Sequence, residues 1–187
     1  MGETMELFEA IGSRRSIRKY RPEPVARDVL QRLVQVIQHS PMASNGQELR
    51  LVVVTDPDCI RAIRRFAPGL SGNPAAVLVL AADKEVAHAR GGTDGREAAV
   101  YINAGVALAY LLLAAHGLGL GACPVRSFHP GALRTLVDLP QAVEPIMLMS
   151  VGYPAESPRP KTVPALDEVV FYERYGQQAS ASAGCGA

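Results

Sequence analysis

Apolar positions along this chain fall alternately at helical and at extended spacing. From Val25 to Gln38 they recur at Val29, Leu30, Leu33, Val34 and Ile37, bracketed by Pro24 and by Ser40-Pro41, which predicts a helix. Leu51-Val52-Val53-Val54, closed by Asp56-Pro57, and the run Ala75 to Ala82 predict two buried strands, with a short helix from Asp58 to Phe66 between them. Lys84 to Arg96 is polar and holds Gly91, Gly92 and Gly95, which predicts a loop or mobile segment. Ala98 to Leu120 is the longest apolar stretch and predicts a helix apolar on all sides. Ala122 to Phe128 and Ile146 to Tyr153 predict two further strands. Pro154, Pro158, Pro160 and Pro164 exclude a helix or central strand from the segment they punctuate, which is expected to be an extended arm. Leu166 to Tyr175 is expected to form a final edge element. Residues 1–175 therefore form one expected domain with its arm, and 176–187 a Gln/Ser/Ala/Gly tail with no core to join.

The long apolar stretch is long enough to raise a membrane-spanning reading. Against it stand the polar Asn103 and His116, the absence of tryptophan for an interfacial belt, and the lack of a second span. A helix apolar all round in a water-exposed protein needs cover on every side. In so small a chain a second copy is the simplest cover, so a homodimer around this helix is expected.

Composition narrows the function classes. At 187 residues and 48% hydrophobic, the chain is long enough for one sizeable core. Nineteen Lys and Arg against 18 Asp and Glu leave a net charge of +1, with no general pull toward nucleic acid or an anionic membrane. Cys59, Cys123 and Cys185 lack CxxC or CxxH spacing, and four scattered histidines lack metal-ligand spacing, so no zinc site or disulfide framework is expected. The acidic Met1-Gly2-Glu3-Thr4-Met5-Glu6 has no apolar signal-peptide core, and a cytoplasmic location is expected. Neither G-x-S-x-G nor H-E-x-x-H occurs, which argues against a hydrolase.

Four segments carry candidate chemistry. Arg14-Arg15-Ser16-Ile17-Arg18 follows a short amphipathic segment, Glu6 to Ile11; its mutually repelling guanidiniums suit an anion such as phosphate, the alternative being a solvated basic turn. Pro41-Met42-Ala43-Ser44-Asn45-Gly46-Gln47 offers neutral donors and acceptors after a helix, or is simply a helix-ending turn. Gly117-Leu118-Gly119-Leu120-Gly121-Ala122-Cys123-Pro124 has the look of a dinucleotide fingerprint, but these glycines follow a helix and lead into a strand, the reverse of a Rossmann turn. They read as a helix C-terminus with left-handed glycines, then backbone that a flat ligand can approach. Arg159-Pro160-Lys161 places two cations on a stiff segment able to reach a phosphate or a neighbouring subunit. Cys123 reads as a small buried filler, and Tyr101 and Tyr110 as core or dimer residues.

In order and character these segments resemble the nitroreductase family of flavin enzymes, from Glu6 to about Tyr175. The resemblance implies an α+β fold, with a central mostly antiparallel sheet flanked by helices and the long apolar helix at a dimer interface. It implies that Arg14, Arg15, Ser16 and Arg18 hold the phosphate of FMN, joined by Arg159 and Lys161 after Gly152-Tyr153-Pro154. It implies that Pro41, Ser44, Asn45 and Gln47 reach the flavin from the other subunit, and that Gly121, Pro124, Val125 and Arg126 lie beside its ring. Met42 and Ala43 stand where the family has two hydroxyls, and Glu48-Leu49 where it often has Pro-Trp.

The implied activity is ping-pong oxidoreduction with NADH or NADPH as co-substrate and a nitroaromatic, quinone or activated alkene as acceptor. The chemistry would belong mainly to the flavin, with no obligatory catalytic acid, base or metal from the protein. Two other classes stay open: a flavin-dependent dehydrogenase of a specific metabolite or peptide, admitted by a mobile 84–96 segment, and a non-enzymatic flavin-binding sensor.

Overall fold

A computed structural model describes residues 5–158 and 160–178; Arg159 and the tail from 179 onward lie outside the described residues. Four strands, β1 (Leu49–Val54), β2 (Ala76–Asp83), β3 (Gly121–Val125) and β4 (Val143–Gly152), form one antiparallel sheet in the order β1-β2-β4-β3. Around it lie α1 (Leu7–Ser13), α2 (Arg27–Gln35), α3 (Pro57–Arg65), α4 (Lys84–Asp94), α5 (Val100–Gly117), α6 (Pro130–Leu136) and the single turn α7 (Leu166–Val169). The expected α+β class and antiparallel sheet are borne out.

The alternation of β2 explains why it reads as an unbroken apolar run. Leu78, Leu80 and Ala82 join Leu33 of α2 and Ala104, Leu108 and Leu111 of α5 on one face of the sheet. Val77 and Val79 join Ile60 and Ile63 of α3 and Leu133 of α6 on the other. A strand covered on both faces needs apolar residues at every position, and each fully buried Val or Leu contributes about 1.5–3 kcal/mol. The matching expectation for β1 is corrected: as an edge strand it leaves Arg50 and Val53 exposed.

α5 runs beneath the sheet with Val100, Asn103, Ala104, Ala107, Leu108, Leu111, Leu112 and Ala115 buried. It is a core helix on that side, while Tyr101, Ile102 and Tyr110 stay exposed on the other. The two tyrosines are thus not core residues of this chain. Past the C-terminus of α5 the backbone reverses at Gly119, whose φ of 74° suits a residue without Cβ, and Leu120 N–H returns to the Ala115 carbonyl.

Two expectations fail. Lys84 to Arg96 is not a loop: Asp83 caps α4 by accepting from the backbone N–H groups of Glu85 and Val86, and a π-helical turn at Gly95–Ala99 joins it to α5. Gly92, in a conformation open to glycine alone, marks a break within the helix rather than its absence. Lys84 Nζ secures the turn, donating to the Arg96 carbonyl at 2.8 Å and lying 3.3 Å from Glu144 Oε2, while Tyr101 Oη donates to Glu144 Oε1 at 2.9 Å. Leu166 to Tyr175 adds no strand to the sheet; after α7 the backbone only bends and turns. The described residues between Pro154 and Pro164 hold no helix and no strand, only an isolated bridge at Pro154 and a bend at Glu156.

Candidate functional site

The segment after α1 is stitched into place on both sides. Ser16 bridges Ala122 on β3, and Ile17 N–H donates to the Ala122 carbonyl at 3.0 Å. Further on, Tyr20 bridges Pro154, Ala155 N–H donates to the Lys19 carbonyl, and Arg21 N–H donates to Tyr153, so the proline arm lies along the same segment. Tyr20 anchors the junction from below: its buried hydroxyl lies 2.7 Å from Ser150 Oγ and donates to the Ile17 carbonyl. Burial pushes its phenol well above the usual range. Gly121 belongs to this packing, because a Cβ there would stand 2.7 Å from Ile17 Cγ2.

Between segment and arm lies a groove of about 740 Å³ lined by Arg14, Arg15, Ser16, Arg18, Lys19 and Lys161, together with Ser71, Gly72, Glu156, Ser157, Pro158 and Pro160. Arg15 is turned back, donating to the carbonyls of Gly12 and Arg14. Among the described residues, Arg14, Arg18 and Lys161 have no acidic partner within 4.0 Å. Glu156 is the acid at the rim. Its Oε1 accepts from the backbone N–H of Arg18 at 2.7 Å and of Lys19 at 3.1 Å, and the Arg18 bond foremost holds its carboxyl below the usual range.

A smaller cavity of about 260 Å³ shares Arg14, Arg15 and Glu156 and adds Leu112, His116, Leu120 and Gly121. There His116 Nε2 lies 2.8 Å from Ser13 Oγ, and burial, then the Arg14 charge, lowers its pKa. His39 and His88 are exposed, and His129 caps α6 by accepting from Ala132 N–H.

Of the residues singled out in the sequence, the structure thus gathers Arg14, Arg15, Ser16, Arg18, Gly121 and Lys161 around two adjoining cavities. Arg159 lies outside the described residues. Pro124 and Val125 stand at the far end of β3, about 10 and about 13 Å from Gly121 at ordinary strand rise. Val125 is buried, Pro124 half-buried, and Arg126 exposed with its guanidinium 5.6 Å from the centroid of the Phe128 ring. Cys123 is buried as expected.

The polar loop lies elsewhere. Pro41, Ser44, Asn45 and Gln47 are exposed, and none of them lines the arginine groove. Ala43 N–H donates to Asn103 near the start of α5, whereas His116 beside the groove sits 13 residues further along, about 20 Å at helical rise. Two buried polar residues here were not assigned a role from sequence, Glu48 and Asn103; the available signal was one amide alone in an apolar helix, while Glu48 sits in a polar run with nothing to single it out.

Cationic donors on two adjoining segments match the chemistry of a phosphate monoester. The nitroreductase family model matches residues 11–71 and 68–153, and the chain belongs to the nitroreductase family. It is 34% identical to a Thermus thermophilus protein named NADH dehydrogenase, over 85% of this chain and 92% of that protein. It is 29% identical to a Bacillus subtilis FMN reductase [NAD(P)H], over 92% of this chain and 76% of that protein. Among solved structures, a nitroreductase family protein from Clostridium difficile superposes with a TM-score of 0.81 at 27% identity, covering 91% of this chain and 99% of that one.

Proposed function

We propose that this chain is an FMN-dependent NAD(P)H oxidoreductase that works as a homodimer, each flavin held between two subunits, and that reduces nitroaromatics, quinones or activated alkenes. The observation that carries this reading is the division of the polar groups. The arginine groove and the Pro41–Gln47 loop lie at opposite ends of α5, about 20 Å apart, too far to share one ligand within one chain. A second copy lying antiparallel along α5 would bring the loop of one chain to the groove of the other. The uncovered apolar residues support such a contact: Tyr101, Ile102 and Tyr110 on α5, and Leu7, Phe8 and Ile11 on α1.

In this reading Arg14, Ser16, Arg18 and Lys161 hold the phosphate, with Arg159 joining them from the arm. Arg15 supports the turn that presents them, and Glu156 ties arm to segment. Gly121 and Pro124 give the ring close access to backbone along β3, with Val125 and Arg126 at its far end. Pro41, Ser44, Asn45 and Gln47 of the partner meet the ring from the other side. When bound, the flavin supplies two-electron exchange between nicotinamide and acceptor. The protein orients both reactants in one slot, used in turn, and solvent supplies the protons. The protein needs no membrane or nucleic acid for this, and a cytoplasmic supply of NADH or NADPH suffices.

The dedicated-dehydrogenase alternative stays open: the 84–96 segment it drew on is helical from Lys84 to Asp94 with a break at Gly92. The deciding experiment is the visible spectrum of the purified protein, with FMN added to the apoprotein, followed by steady-state reduction of a quinone and a nitroaromatic at varied NADH and NADPH. Flavin uptake, parallel double-reciprocal lines and a dimer by light scattering are expected. A protein that takes up no FMN would refute the reading, and one that binds FMN without turnover would be a flavin-holding sensor.

A further inference from the structure

The backbone between α2 and β1 is unusually strained. Five described non-glycine residues have positive φ, and three lie here: Ser44 at 53°, Asn45 at 48° and Gln47 at 56°. Such conformations are unfavourable for residues with a Cβ and persist only where the surroundings over-determine them.

Two buried side chains do so. Asn103, 4% exposed, accepts from Ala43 N–H through Oδ1 at 2.9 Å and donates through Nδ2 to Glu48 Oε1 at 2.7 Å. Glu48, 1% exposed, closes the other end, its carbonyl accepting from Asp83 N–H at 2.9 Å. Gly46 packs so tightly on the carboxylate that a Cβ there would collide with Oε2. Oε2 itself is buried without a partner, beside a cavity of about 70 Å³ also bordered by Ser44, Arg90 and Asp94. A buried carboxylate is a poor filler, since an apolar side chain of similar volume avoids its desolvation cost. Its placement therefore asks for a role other than packing.

The geometry points to Glu48 as a positioning residue of the proposed flavin site. Its carboxylate, acting through Asn103, fixes the Ala43–Gln47 loop in the one shape that presents Ser44, Asn45 and Gln47 to the flavin held by a second copy. This rests on the flavin reading above. It assigns the loop's shape to a buried amide–carboxylate pair, so that the loop's backbone can be strained while its side chains, with Gln47 Nε2 donating to Asn45 Oδ1 at 2.6 Å, stay exposed.

The test titrates apoprotein with FMN at pH 5.5 and 8, follows the visible circular dichroism of the bound flavin, and measures amide hydrogen exchange over residues 43–50 without flavin. Glu48→Ala should weaken FMN binding at least about tenfold, alter the visible band and speed exchange at Ala43. Asn103→Asp sets two carboxylates at hydrogen-bond distance, so one retains a proton far above the usual range. Its FMN affinity should therefore fall from pH 5.5 to 8 about tenfold more than that of wild type. The exchange Glu48→Gln with Asn103→Asp again opposes one amide to one carboxylate, and should regain affinity and flatten the profile.

A folded Glu48→Ala protein with wild-type affinity, spectrum and exchange overturns the proposal. If that variant does not fold, an Asn103→Asp protein with the wild-type pH profile overturns it. Wild type that takes up no FMN overturns the flavin reading and this proposal with it, and the wild-type titration alone tells that failure apart.

Discussion

The arginine groove and the Ala43–Gln47 loop both present polar groups from irregular backbone, and they are held by opposite means. The groove is held mainly by backbone, a bridge to β3 and a bridge to the proline arm, with the Glu156 carboxylate and the Tyr20 hydroxyl each accepting from or donating to that backbone, leaving Arg14, Arg18 and Lys161 without acidic partners among the described residues. The loop is held by side chains, a carboxylate and a carboxamide sealed under it, with its own backbone strained. Charge at the groove acts on a ligand through water, whereas the loop acts through shape. The first should be tolerant of small displacements and sensitive to ionic strength, the second the reverse.

The largest effect expected from this contrast is at the groove. Arg18→Ala should raise the FMN dissociation constant about ten- to a hundredfold, the scale of a lost charge-assisted hydrogen bond of about 1.5–3 kcal/mol. Flavin fluorescence quenching measures it, and full flavin occupancy in the variant would break the assignment of the groove. At the loop, Gly46→Ala should cost about 1–3 kcal/mol of stability by overpacking against Glu48, read as a shift in the urea midpoint of the apoprotein.

A smaller effect separates the two regions in a single titration. Between roughly 0.05 and 0.5 M salt, wild-type affinity for FMN should fall severalfold as the groove is screened. The ratio of Asn103→Asp to wild-type affinity at pH 8 should hardly move, because that pair is buried. A ratio that collapses toward one in high salt would place the loop's effect among exposed charges. The smallest expected effect concerns His116. Its pKa is lowered from 6.5 by burial first and Arg14 second, so its contribution to stability is present above that pH and is lost as pH falls through the folded value. Melting curves at pH 7.5 and 5.5 should show wild type losing more than His116→Gln on acidification.

How much of this was legible in the sequence follows the same division. The strands, α2, α3 and α5 were readable because their burial patterns are local and periodic. The arginine cluster was readable because like charges crowded together announce an anion. The helix at Lys84–Asp94 was hidden by Gly91, Gly92 and Gly95, although Asp83 just ahead of it was a usable cap signal. Glu48 and Asn103 escaped because they are 55 residues apart and only the fold brings them together. Asn103 looked like an isolated exception in an apolar helix and Glu48 like one more polar residue of a loop, and a buried pair is legible only when the two are known to meet.

The bridge between Ser16 and Ala122 has a consequence for solubility. β3 is an outer strand, and Gly121–Val125 is a short apolar run that would otherwise offer free hydrogen-bonding groups to any passing chain. The arginine-bearing segment lies across that edge at Ala122, and Pro124 interrupts the ladder beyond it. The residues that define the anion groove are thus also a guard against intermolecular strand pairing. A chain whose N-terminal segment is trimmed or detached would lose its ligand site and its colloidal protection in the same event.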